Sequence, residues 1–117
     1  MYNLDTLLAG LRAAGEHTRL RILTLCSRGE LSVSELVQIL GQSQPRVSRH
    51  LKLMVEAGLL ERLPEGAQVY FRVSDQNSTS SLAHALISLI PKTDTLLVQD
   101  ISRLDQVRDS RAKKAQD

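Results

Sequence analysis

The chain has 117 residues, 42% of them hydrophobic, with one Phe, two Tyr, no Trp and a net charge of +2. That length suits a single helix-rich domain with a modest core of branched aliphatics, small enough for a partner chain to be expected. The lone cysteine, Cys26, excludes an intrachain disulfide and a paired-cysteine metal site.

Leu4, Leu7, Leu8 and Leu11 recur at helical spacing and predict a helix over 3–14, with Asn3 as its cap and Gly15 as its stop. A second helix runs through "TRLRILTLCSR" to Gly29. Its apolar residues wrap most of the circumference, as in a central, buried helix. Ser32 and Glu35 form an S-x-x-E capping box for a third helix over 33–40, which turns Val33, Leu36, Val37 and Leu40 inward and stops at Gly41. Ser43 caps a fourth helix over 44–57, ended by Gly58. Pro45 is tolerated because first-turn N–H groups have no intrahelical partner. Two helices joined by a short Gly-containing turn make a helix-turn-helix.

"GLLERLPEGAQVYFRVSD" changes to a period of two. It predicts a β-hairpin with strands "LLERL" and "VYFRV" joined by "PEGA". A helix over 76–90 follows, with Leu82, Leu86, Leu89 and Ile90 on one side, until Pro91 breaks it. A last helix starts near Thr93 with Leu97, Ile101 and Leu104 as a narrow apolar seam. The polar tail from Arg108 is expected to fray. The fold class is therefore mostly α with a small β-hairpin: a winged helix-turn-helix over 1–91, with its wing at about 59–73, and a C-terminal helix over 92–117. The first helix, the helix over 82–90 and the Leu97–Leu104 seam offer more apolar surface than one small wedge can cover, so a homodimer is expected.

On a helical wheel for 44–57, Val47, Leu51 and Met54 face the core. Arg49 and Lys52 point away from it, Arg46 and Ser48 flank them, Gln44 lies at the tip, and His50 sits between core and solvent. The segment 42–52 contains no acid. Such a helix fits the major groove of B-form DNA, where Arg can pair with guanine, Gln with adenine, and Lys and Ser with phosphates. A basic face on an isolated helix is more often merely solvated, but here a helix-turn precedes it and a hairpin follows. The hairpin loop 64–68 would be the wing, bringing Arg62 and Gln68 to the backbone or minor groove. Nothing resembles a Gly-rich phosphate loop, a carboxylate or His cluster, or a nucleophile motif, so no enzyme and no cofactor is expected.

"TRLRIL", "SQPRVSRHLK", "EAGLLER" and "VYFRV" together resemble the winged helix-turn-helix of the ArsR/SmtB-type bacterial repressors, over about residues 4–90. The resemblance implies a homodimer bound to an inverted-repeat operator in double-stranded DNA and released by a small effector. It places base-reading positions on Ser43, Gln44, Arg46, Ser48, Arg49 and His50.

It also places the family's cysteine box, ELCVCDL, on "ELSVSEL", with Ser32 and Ser34 where the thiolates would be. Serine hydroxyls are poor ligands for soft ions, and Ser32 already serves as a cap. A second metal site of the family, on the helix after the wing, would retain only His84, with no acid two residues before it and an exposed position on the wheel. Cys26, inside "ILTLC", reads as a small buried hydrophobe. His17 stands where the family often has Pro. No metal and no cofactor is therefore expected, and the effector is unknown. No run approaches 18 apolar residues and the start lacks a signal-peptide pattern, so a cytoplasmic protein with no membrane partner is expected.

"DISRLDQVRDSRAKKAQD" continues a helical pattern to the last residue without a stop signal. It is similar to linker helices that join such domains to an S-adenosylmethionine-dependent methyltransferase domain. Two alternatives stay open here: a dimerisation element of a small repressor, or the DNA-binding part of a longer regulator. The expected function is a sequence-specific, DNA-binding transcriptional regulator that acts as a homodimeric repressor. The rival from another class is a winged helix that binds protein instead of DNA.

Overall fold

The computed structural model describes residues 3–75 and 79–116. The element order is α1 (Leu4–Ala14), α2 (His17–Cys26), β1 (Leu31–Ser32), α3 (Val33–Leu40), α4 (Gln44–Glu56), β2 (Leu60–Glu65), β3 (Gln68–Val73), α5 (Ser80–Leu89) and α6 (Thr95–Gln116). This is the mostly α fold with a winged helix-turn-helix that the sequence predicts.

The helix starts are set by local side chains. Asn3 accepts from the Thr6 N–H at 2.9 Å. Glu16 caps α2 by accepting from the Arg19 N–H at 3.0 Å. The capping box of α3 is complete: Ser32 Oγ accepts from the Glu35 N–H at 3.2 Å, and Glu35 Oε1 accepts from the Ser32 N–H at 2.9 Å. Gly41 ends α3 in the left-handed conformation, with φ 67°, which glycine adopts without a Cβ penalty.

α2 runs through the centre, with Ile22, Leu23 and Leu25 fully buried. Leu36 and Ile39 from α3, Val47, Leu51 and Met54 from α4, and Leu59 and Leu60 at the entry to the wing complete the core. Each such side chain contributes about 1.5–3 kcal/mol of burial. At the α1–α5 crossing, a Cβ on Gly10 would lie 2.5 Å from Leu82 Cδ2, so glycine permits the close approach.

The sheet has three antiparallel strands in the order β1-β3-β2. β1 is too short for a period-two signal and was not predicted; it pairs Leu31 with Phe71 and Ser32 with Tyr70. The hairpin is tighter than predicted. Pro64 and Glu65 belong to β2 and Gln68 to β3, with Glu65 facing Gln68, so Gly66 and Ala67 alone make the turn. Gly66 takes φ 62°, the positive angle such two-residue turns favour.

The largest departure from the sequence reading is at the C-terminus. α5 begins at Ser80 among the described residues; its predicted start, Gln76, lies outside them. α6 starts at Thr95 instead of Thr93 and remains helical to Gln116, with no fraying at Arg108. Its seam is also used within the chain: Leu104 has no exposed surface, Leu97 and Val107 are buried, and Ile101 is half-buried. α6 packs on α2 and α3. The apolar surface left exposed lies mainly on α1 (Leu4, Leu8, Leu11) and at Leu89 of α5.

Candidate nucleic-acid interface

α4 is positioned from both ends and from its inner face. Ser43 Oγ accepts from the Arg46 N–H at 3.4 Å, and Pro45 sits in the first turn. Val47, Leu51 and Met54 are inaccessible to solvent, which fixes the rotation of the helix about its axis. Ser43, Gln44, Arg46, Arg49 and Lys52 are exposed on the other side. Arg46, Arg49 and Lys52 have no ion-pair partner among the described residues. Gln44 Nε2 donates to Ser48 Oγ at 2.7 Å, so these two side chains are already oriented together along the helix.

His50 is placed differently from its neighbours. Its side chain is 16% exposed and turns toward the α1–α2 junction. Arg19 donates from Nη1 to His50 Nδ1 at 3.1 Å, and Glu16 Oε2 lies 3.8 Å from the same nitrogen. Arg19 also donates through Nε to the Ala13 carbonyl at the end of α1. Arg has no acceptor, so Nδ1 carries the lone pair and the ring is neutral in this arrangement. Burial pushes the His50 pKa down, Glu16 opposes the shift, and Arg19, Arg46 and Arg49 reinforce it. Sequence reasoning placed His50 at the edge of the face, and its link to Arg19, 31 residues away, had no local signal.

The wing divides the two residues predicted on it. Arg62 pairs in register with Phe71 and, with Ser48 and Lys52, rims a groove of about 350 Å³ floored by Leu51, Val69 and Phe71. It therefore joins the exposed row of α4. Gln68 is exposed on the opposite face of β3, the face of Tyr70, where it lines a second groove with Ser34, Gln38 and Lys114. Cross-strand Arg72 donates to Glu61 at 3.0 Å and stiffens the hairpin.

The serine box is occupied by structural bonds. Ser32 Oγ lies 3.2 Å from Ser34 Oγ and accepts the Glu35 N–H, while Glu35 is gripped by Arg111 of α6 through Nε at 3.0 Å and through Nη2. Burial alone would raise the Glu35 pKa, but the Arg111 hydrogen bond and the Ser32 N–H bring it below its usual value. Arg111 was not singled out from the sequence; it sits 76 residues from its partner. His84 is exposed as predicted and lies 3.1 Å from Asp75 through Nε2. Cys26 is buried, and desolvation pushes its thiol up to about 12. Among the described residues, no three His, Cys, Asp or Glu cluster as metal ligands, and no helix is long and apolar enough to cross a membrane.

Comparison with known proteins fits this geometry. The family model described as "Bacterial regulatory protein, arsR family" matches residues 16–62, from the cap of α2 into β2. The arsenical resistance operon repressor of Escherichia coli (strain K12) is 48% identical over 60 residues, covering 50% of this chain and 51% of that one. The chain thus spans about half the length of the curated relatives it matches. The crystal structure of a transcriptional regulator, HlyU, from Vibrio vulnificus CMCP6 superposes with a TM-score of 0.60 at 30% identity, covering 74% of this chain and 90% of that one. The homodimeric winged helix-turn-helix DNA-binding domain from Mycobacterium bovis gives 0.65 at 26% identity, covering 74% and 79%. With its capped helix-turn-helix, its exposed basic row and these relatives, residues 16–62 form a helix-turn-helix of the arsR family of bacterial regulatory proteins, within a chain that has the winged helix-turn-helix fold.

Proposed function

We propose that this protein is a homodimeric repressor that reads an inverted-repeat operator through α4 and the wing, and releases it on binding a small effector other than a thiophilic metal. The observation that carries the DNA reading is the exposed row Arg46, Arg49 and Lys52, without ion-pair partners among the described residues, on a helix whose opposite face is locked in the core. In this reading Arg46 and Arg49 contact guanine edges, Gln44 reads adenine, and Ser43, Ser48 and Lys52 hold phosphates. Arg62 continues the row onto the wing, and Gln68 reaches the backbone from its far side. His50 borders this surface and fixes its attachment to α2.

The dimer is supported by the exposed Leu4, Leu8 and Leu11 of α1 and Leu89 of α5, which cost less when covered by a second copy. Two α4 helices would then enter successive major grooves about 34 Å apart. The M. bovis domain is a homodimer by its description. α6 is assigned to the DNA-binding unit of each protomer, because its apolar seam is buried on α2 and α3. The effector proposal rests on Ser32 and Ser34, whose hydroxyls are weak ligands for soft ions and are engaged with each other and with the α3 backbone. No catalytic chemistry is assigned to the chain.

Fluorescence anisotropy with duplex DNA from upstream of its own reading frame tests this. Expected is nanomolar binding that weakens steeply with salt, by a dimer in sedimentation. Absence of salt-dependent binding to any upstream duplex favours a protein-binding winged helix, and a monomeric mass at micromolar concentration contradicts the dimer.

A further inference from the structure

The second half of α6 is held by a series of arginines against α3 and the segment between α2 and β1, with one ring contact to the wing. Arg103 donates to the Ile39 carbonyl at 3.2 Å, and Arg108 donates to the Arg28 carbonyl. Arg111 forks onto Glu35, reaches the Glu30 carbonyl at 3.4 Å, and places its guanidinium 5.6 Å from the centre of the Tyr70 ring. These contacts fix the helix end in space. Lys114 consequently borders a polar groove of about 290 Å³ together with Gln68, Tyr70, Ser34 and Gln38.

Side-chain alternation along β3 sets the geometry. Val69 and Phe71 face the groove shared with α4, while Gln68 and Tyr70 face the groove shared with α6. The order across the surface is therefore α4, then the wing, then the end of α6. Lys114 lines that groove and Lys113 is exposed on the same turn of α6, both with no acid at ion-pair distance among the described residues. Glu35, the acid lining this groove, is already paired with Arg111.

We propose that the end of α6 is an additional phosphate-binding element, in which Lys113 and Lys114 engage the DNA backbone outside the wing, flanking each half-site. Arg111 is the positioning residue, since it ties the helix end to α3 and to the wing. The surface carries the right charge, is continuous with Gln68, and meets a ligand that is a regularly spaced polyanion. The inference rests on the DNA-binding reading above. Each phosphate contact releases counterions and contributes about 0.9 to the slope of log Kd against log salt. With Lys113 and Lys114 each making one contact, a dimer makes four, which together contribute about 3.6.

The test uses the full chain, the same duplex extended by flanking base pairs, and the variants K113A/K114A and K113R/K114R. The Ala pair should flatten the salt slope by about three to four units and shorten the hydroxyl-radical footprint at both outer edges. The Arg pair should retain the wild-type slope and footprint. An unchanged slope and footprint for the Ala pair, with an unchanged melting temperature, overturns the proposal. If replacing Arg46 and Arg49 abolishes binding while the Ala pair changes nothing, this inference fails alone. If replacing Arg46 and Arg49 also changes nothing, the DNA reading itself fails.

Discussion

Asp100 of α6 has no exposed surface, and its two carboxylate oxygens accept from Nε and Nη2 of Arg21 at 2.8 and 2.9 Å. The pair joins the C-terminal helix to the central helix across 79 residues of sequence. Asp100 is buried and Arg21 keeps only 12% of its side chain exposed, so removing one leaves the other poorly solvated. Asp100→Ala should cost about 3–5 kcal/mol, whereas the paired replacement Arg21→Met with Asp100→Leu should recover most of that. Urea unfolding of the wild type and the two variants checks both values. A loss under about 1 kcal/mol for Asp100→Ala would mean that α6 does not depend on this pair.

The contact between Arg19 and His50 makes a second prediction. The folded protein holds the His50 pKa below its ordinary value, through burial and the nearby arginines. The unfolded chain, with a histidine pKa of about 6.5, binds the proton more readily. Stability from this site is therefore present above that pH and lost as pH falls through the folded value. Urea midpoints of the wild type should drop more between pH 7.5 and pH 5 than those of His50→Ala. In DNA binding, His50→Ala should weaken all sequences alike, since the ring is turned toward Arg19. A change of base preference at one operator position would assign it a direct contact instead.

Cys26 should be chemically quiet. Its thiol is buried and pushed up to about 12 by desolvation, so the nucleophilic thiolate is scarce at pH 8. Iodoacetamide should label the folded protein orders of magnitude more slowly than the urea-unfolded chain, and arsenite or hydrogen peroxide should leave operator binding intact. Fast labelling of the folded dimer would reopen Cys26 as a sensor.

What was legible in the sequence was local. The Ser32–Glu35 capping box, the Pro45 start of α4 and the inward set Val47, Leu51 and Met54 depend on spacings of three or four residues, and the structure has them as read. The hairpin was legible from its change of period, although its turn proved to be only Gly66 and Ala67. Missed were relationships set by tertiary packing. β1 has two residues and exists because Leu31 and Ser32 meet β3. The tail from Arg108 looked free because its anchors, Arg28 and Glu35, lie 80 and 76 residues away. Gln68 and Arg62 looked equivalent on the wing, yet pleating sends them to opposite faces. The serine box likewise could be read as a cap from its spacing, while the clasp that Arg111 closes over it could not.

The account stands on α4 reading bases. The most direct measurement is the affinity of an Arg46→Ala/Arg49→Ala variant for the operator, set beside a scrambled duplex of the same length. Each lost guanine contact costs about 1–3 kcal/mol. The dimer loses four such contacts, two per protomer, so the account predicts a loss on the order of 1,000-fold or more on the operator, a smaller loss on the scrambled duplex, and an unchanged melting temperature. Operator binding equal to that of the wild type would contradict it.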